Sequence, residues 1–137
     1  MGLILDTSIL VATERRGQTP AQSFAEICQL ARDEEAALSV LTVFELMHGV
    51  ERAQTDAQAQ RQLAFVDLLC KRLTVFPVSV EIARLGGRIE GALAAKGTAV
   101  ALDDLLIGAT ALHLKFGVAT RNPKDFSRIP GLRVVVL

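Results

Sequence analysis

Five short apolar runs, separated by segments of helical period, constrain this chain more than any other feature. Residues 2 to 5, 37 to 41, 75 to 78, 116 to 120 and 132 to 137 are too short for buried helices, and the first is apolar without a break. Such runs are typical of strands buried on both faces of a parallel sheet, because the crossover helices of that architecture cover both sides. Between them the period is helical. Phe24, Ile27, Cys28, Leu30 and Ala31 mark one helix after a break at residues 17 to 20, and Val43, Leu46, Met47 and Val50 mark another from Thr42. Helices are also predicted over 57 to 72, 80 to 96 and 103 to 115, with Gly97 in the position just past a helix end that favours glycine. The helix over 103 to 115 is apolar almost all round. It is therefore expected to lie between the sheet and a further helix or subunit. Strand–helix alternation of this kind predicts an α/β fold of three layers, with helices on both faces of a parallel sheet of four to five strands.

The 137 residues suit one domain spanning 1–137, and a domain of this size buries roughly 70% of its unfolded surface. The two cysteines, Cys28 and Cys70, lie in apolar helical stretches without metal-ligand spacing and read as buried thiols. Residues 2 to 5 enter a strand with no basic leader ahead of them, and no apolar run reaches the length of a membrane span, so the expectation is a soluble cytoplasmic protein without a membrane partner. Trp and Tyr are absent and there are six Phe, which leaves little for base stacking and makes any nucleic-acid grip mainly electrostatic. Formal net charge is zero, with 15 basic and 15 acidic side chains. Were several of those acids neutralised by cations, the basic side chains would be in excess. The balance therefore permits a polyanionic partner without pointing to one.

Open parallel sheets bind their ligands at the carboxyl ends of the strands, where strand order reverses. Asp6 ends the first strand, Glu45 follows the second, and Asp125 follows the fourth. Asp104 opens the apolar helix, where the dipole is expected to favour its ionised form. Each acid also has an ordinary structural reading. Asp6 can cap or turn, Thr42-Val43-Phe44-Glu45 matches a capping box, Asp103 or Asp104 can cap a helix, and Asp125 sits in an Asn-Pro-Lys-Asp turn.

Taken as a set, the residues resemble the PIN-domain ribonucleases and, within them, the VapC-like toxins of bacterial toxin–antitoxin pairs. Leu5-Asp6-Thr7-Ser8-Ile9-Leu10 is similar to the family's opening motif, and Thr42 to Val50 to its glutamate helix. Asp104-Leu105-Leu106-Ile107-Gly108-Ala109-Thr110-Ala111 and Thr120-Arg121-Asn122-Pro123-Lys124-Asp125-Phe126 are similar to its third and fourth motifs. Gly108 departs from the usual Ala, a change expected to touch packing rather than chemistry. Asp103 adds an acid that either assists the site or only caps the helix.

The resemblance implies a PIN-like fold and a metal-dependent endoribonuclease that cleaves structured RNA, tRNA or rRNA, as the toxin of such a pair. The expected cofactor is Mg²⁺ or Mn²⁺, one or two ions per site, which suits hard carboxylate ligands. Asp6 and Asp104 are expected as direct ligands, with Glu45 and Asp125 acting through metal or water. Thr7, Ser8 and Asn122 are candidates for orienting ligands or water, and Arg121, Lys124 and Arg15 for phosphate contact. The implied partners are RNA, a VapB-like antitoxin and a second copy of the chain, giving a homodimer and a heterotetramer or larger assembly with antitoxin. The region of Val43, Leu46 and Met47 is a candidate interface. His48 and His113 match neither metal nor triad spacing and read as surface or interface residues. The alternative is a catalytically silent PIN-like module that binds RNA or protein. A haloacid-dehalogenase phosphatase would need an Asp where Ser8 stands, and a receiver domain would need its acids clustered at the first strand.

Overall fold

The computed structural model describes residues 1–14 and 17–137. Five strands, β1 (Gly2–Leu5), β2 (Glu35–Ser39), β3 (Thr74–Phe76), β4 (Gly117–Thr120) and β5 (Val134–Val136), form one sheet in the order β3-β2-β1-β4-β5. Every pairing is parallel, with Ile4 opposite Ala37 on one side and opposite Val118 on the other. The helices are α1 (Thr7–Glu14), α2 (Pro20–Ala31), α3 (Val40–Glu51), α4 (Asp56–Arg72), α5 (Val80–Ala95) and α6 (Leu102–Leu114).

Period-two alternation along β1 sorts the core into two halves. Leu3 and Leu5 pack with Leu10 of α1, Ile27 of α2, and Phe65 and Leu69 of α4. Ile4, pointing the other way, packs with Ile107 and Ala111 of α6 and with Phe126 and Ile129 just beyond β4. All four β1 residues are buried, as its uninterrupted apolar run predicted. The three-layer α/β/α architecture follows. The second face of α6 is closed by α5 of the same chain, where the Leu106 side chain approaches Gly86, so its all-round apolarity is satisfied within the chain.

Local sequence explains most helix ends. Thr19 and Gln22 form a reciprocal capping box at α2, Thr55 and Ser79 cap α4 and α5, and Lys71 and Arg72 sit at the negative end of α4. Gly97 adopts φ +71°, as predicted for a residue just past a helix. Several expectations need correcting. The second strand runs from residue 35 to 39 rather than 37 to 41, because the Ser39 hydroxyl accepts the Leu41 N–H and starts α3 two residues early. The expected Thr42–Glu45 capping box therefore does not form. Thr42 is fully buried, and Glu45 lies in the second turn, away from cap duty. Val43 and Leu46 pack against the core, and the exposed large apolar side chains of α3 are Val40 and Phe44. Cys28 and Cys70 are exposed, not buried: each lies on the outer side of its helix, where apolar neighbours in sequence are not neighbours in space. His48 and His113 are exposed, as expected.

Candidate active site

The chain leaves β1 for β2 on one side of the sheet and later returns to place β4 on the other. Strand order thus reverses at β1/β4, and that is where a crevice opens at the carboxyl ends of the strands. Asp6 follows β1 directly, and its amide extends the ladder by donating to the Ala119 carbonyl at 2.9 Å. Its side chain is 8% exposed. Ser8 Oγ and Thr120 Oγ1 lie 2.7 and 2.8 Å from one carboxylate oxygen, Oδ2, and both donate to it. The direction of these bonds is set by what lies behind them. The Arg121 N–H donates to Ser8 Oγ and the Asn122 N–H to Thr120 Oγ1, each at 3.0 Å. Each hydroxyl has one proton, and with an amide filling an acceptor position that proton goes to Asp6. The Asp6 carboxylate is thereby held from one side, through a single one of its two oxygens.

Glu45 enters from α3, where Thr7 Oγ1 donates to its Oε1 at 3.0 Å. Burial pushes the Glu45 carboxyl above its ordinary value, the Thr7 bond opposes this, and the charges of Asp103 and Asp6 add to the rise. Asp104, in the first turn of α6, is pushed from 3.8 up to about 7 by burial first and then by the carboxylates of Asp103, Asp6 and Asp125. The expectation that the helix dipole would keep Asp104 ionised is overturned. Desolvation and three like charges outweigh a half-charge that is effective only within the first turn.

Asp125 lies beside Asp104 and accepts the Ala101 N–H at 3.3 Å. Arg128 lies 3.7 Å from Asp125 and donates to the Ala99 carbonyl, tying the turn after β4 to the segment entering α6. Asp103 accepts the Asp104 N–H at 3.0 Å, and its charge acts on Glu45. Ala101, not Asp103, is the residue preceding α6, and it makes no side-chain cap.

Asp6, Glu45, Asp104 and Asp125 therefore share one electrostatic neighbourhood, as the sequence suggested, and Asp103 joins them. Thr7 and Ser8 orient carboxylates. Asn122 and Arg121 contribute backbone amides, and Arg121, Asn122 and Lys124 are all exposed. Arg15 lies outside the described residues. Thr120 is the supporting residue that sequence reasoning does not single out. It stands within the fourth motif, but its value depends on β4 adjoining β1, which no local signal encodes. Among the described residues, no lysine or arginine pairs with Asp6, Glu45, Asp103 or Asp104.

The family model for the PIN domain matches residues 3–132. Ribonuclease VapC1 of Rickettsia felis is 33% identical over 137 residues, covering 100% of this chain and 97% of that protein. The tRNA(fMet)-specific endonuclease VapC of Salmonella typhimurium is 35% identical over 97 residues, or 71% of each chain. Among solved structures, VapBC2 of Rickettsia felis bound to a DNA fragment from its promoter superposes with a TM-score of 0.82 at 27% identity, covering 100% of this chain and 99% of that one. A chain that matches the PIN model over nearly its whole length, and VapC relatives over theirs, belongs to the PIN-domain family and to its VapC branch.

Proposed function

We propose that this protein, a single domain over residues 1–137, is a divalent-metal-dependent endoribonuclease, the toxin of a toxin–antitoxin pair. The observation that carries the proposal is the convergence on the β1/β4 crevice of carboxylates held by hydroxyls and amides rather than by cations. A partly buried carboxylate cluster without basic partners is electrostatically costly unless it serves a positive ligand. Among the described residues no group of three acidic, histidine or cysteine side chains is set in metal-holding geometry. The case for an ion therefore rests on donor chemistry, and hard, anionic oxygens suit Mg²⁺ or Mn²⁺. Asp6 and Asp104 would hold it directly, with Glu45 and Asp125 engaged through the ion or a water. Such an ion supplies charge neutralisation at a phosphate and lowers the pKa of water.

The remaining roles belong to the chain itself. Glu45, raised above its ordinary value, can take a proton from an attacking water and return it to the leaving oxygen. Thr7 aims Glu45, while Ser8 and Thr120 fix Asp6, which keeps the catalytic geometry within the tolerance such chemistry demands. Arg121 and Lys124, in the turn that follows β4 at the crevice, are assigned to the RNA backbone. Relatives named as a tRNA(fMet)-specific endonuclease and as a VapBC complex support a structured RNA such as tRNA as substrate and a VapB-like antitoxin as partner; a cytoplasmic complex of paired copies belongs to the same proposal. No helix among the described residues is long and apolar enough to cross a membrane.

The test is cleavage of a tRNA pool by the purified protein in Mg²⁺, beside the isosteric Asp6→Asn variant and an EDTA control. Activity should fall on the order of 100-fold or more in the variant and vanish in EDTA. Equal cleavage in all three would sink the assignment and favour the silent module.

A further inference from the structure

Apart from the acidic crevice, a groove of about 630 Å³ begins at Glu45 and runs between α1, α2 and the α3–α4 pair. Its volume lies in the range of small-ligand sites. The floor is apolar, formed by Leu10, Leu46, Phe65 and Val66, of which all but Leu46 are buried. The far rim carries the exposed guanidinium groups of Arg52, at the end of α3, and Arg61, on α4. Among the described residues neither joins an ion pair. His48 and the single carboxylate of Glu14 complete that rim. Gln62 also lines the groove, and its Oε1 is buried with no hydrogen-bond partner among the described residues. A buried acceptor left without a donor has lost its water and received nothing in return, a condition that a ligand N–H relieves.

We propose that this groove is a nucleotide subsite of the RNA substrate: the base lies on the apolar floor with an N–H on Gln62 Oε1, and the adjoining phosphate lies between Arg52 and Arg61. The proposal rests on the ribonuclease reading and deepens it. Glu45 belongs to both the crevice and the groove, so a strand whose reacting phosphate sits among the acids continues directly into the groove. A peptide could also offer an N–H to Gln62. Two guanidinium groups without acidic partners, however, call for repeated negative charge, which an RNA backbone supplies at every residue. Base amines provide the donor, and an apolar shelf suits a π-face without demanding one particular base.

The experiment uses the intact protein in EDTA and a fluorescently labelled single-stranded RNA of random sequence, with affinity measured by anisotropy as a function of KCl. Arg52→Gln and Arg61→Gln should each weaken binding several-fold and lower the slope of log affinity against log salt by roughly 0.7, the value for one phosphate contact on a single strand. Arg88→Gln, on an exposed position of α5 away from the groove, serves as the control and should change neither. Gln62→Met, similar in size but without the amide, should leave the slope intact and alter the base preference beside the cut when RNA ends are sequenced after digestion in Mg²⁺. If Arg52→Gln and Arg61→Gln move the slope no further than Arg88→Gln, the groove holds no phosphate and the proposal is overturned. It is overturned equally if these variants keep their affinity for RNA and lose it only for an antitoxin peptide. If the wild type binds with the expected slopes yet cuts no RNA in Mg²⁺, the subsite stands and the ribonuclease reading falls.

Discussion

Replacing Asp104 with Asn tests whether the crevice is as crowded with negative charge as its geometry implies. In the folded protein Asp104 holds its proton up to about 7, whereas an ordinary aspartate releases it at 3.8. Because the folded state binds the proton more tightly, this group's contribution to stability is fully present below pH 3.8 and is lost progressively as pH rises to about 7. At full strength the stretch from pH 5 to about 7 corresponds to about 2.7 kcal/mol, at 1.36 kcal/mol per unit. Asp104 is only half-buried, and solvent screening reduces that to about 1 kcal/mol. Asn, which resembles the protonated form, escapes the loss. Asp104→Asn should therefore match the wild type near pH 5 and be more stable near pH 8 by about 1 kcal/mol, or about 3 to 4 °C in Tm for a chain of this length. Thermal melts in EDTA at the two pH values provide the measurement. The same variant should lose RNA cleavage. If it is destabilised equally at both pH values, or its pH profile parallels that of the wild type, Asp104 is not the strained acid and the electrostatic account of the crevice fails.

Thr120→Val keeps the shape but removes a donor to Asp6 and leaves the Asn122 amide without its acceptor; kcat for RNA cleavage should fall at least 10-fold with KM little changed, and Thr120→Ser should restore most of it. Added Mg²⁺ at ten times its dissociation constant should raise stability by about 1.4 kcal/mol, about 5 °C in Tm, and the shift should disappear in Asp6→Asn. Gly108→Ala would place a methyl group 2.5 Å from Ile129 Cδ1 and 3.3 Å from Leu132 Cδ2, so this chain should lose about 1 to 3 kcal/mol in urea melts on accepting the family's usual residue. Removing the opposing methyl with Ile129→Val in the same chain should recover part of that loss.

Legibility in the sequence followed the range of the interactions involved. The apolar run before Asp6, the all-round apolarity of α6, the glycine past α5 and the four motifs are local patterns, and they were enough for the layers and the parallel sheet, and they single out four acids that the fold brings near one another. Local patterns misled where two short-range explanations competed. Thr42 and Glu45 have the spacing of a capping box, but Ser39, three residues earlier, caps the helix and frees Glu45 for the crevice. Cys28 and Cys70 sit among apolar residues in sequence yet face outward, because a helix turns its neighbours to different sides.

Other properties exist only once the chain is assembled. That β4 adjoins β1 is decided by packing over more than a hundred residues, and only this adjacency turns Thr120 into a support for Asp6. Whether Asp104 is charged depends on burial and on carboxylates arriving from β1 and the turn after β4, forces that overrule the helix end visible in its own sequence. Side-chain chemistry and local conformation are written residue by residue, whereas electrostatic free energy depends on distance and dielectric, which the tertiary structure alone sets.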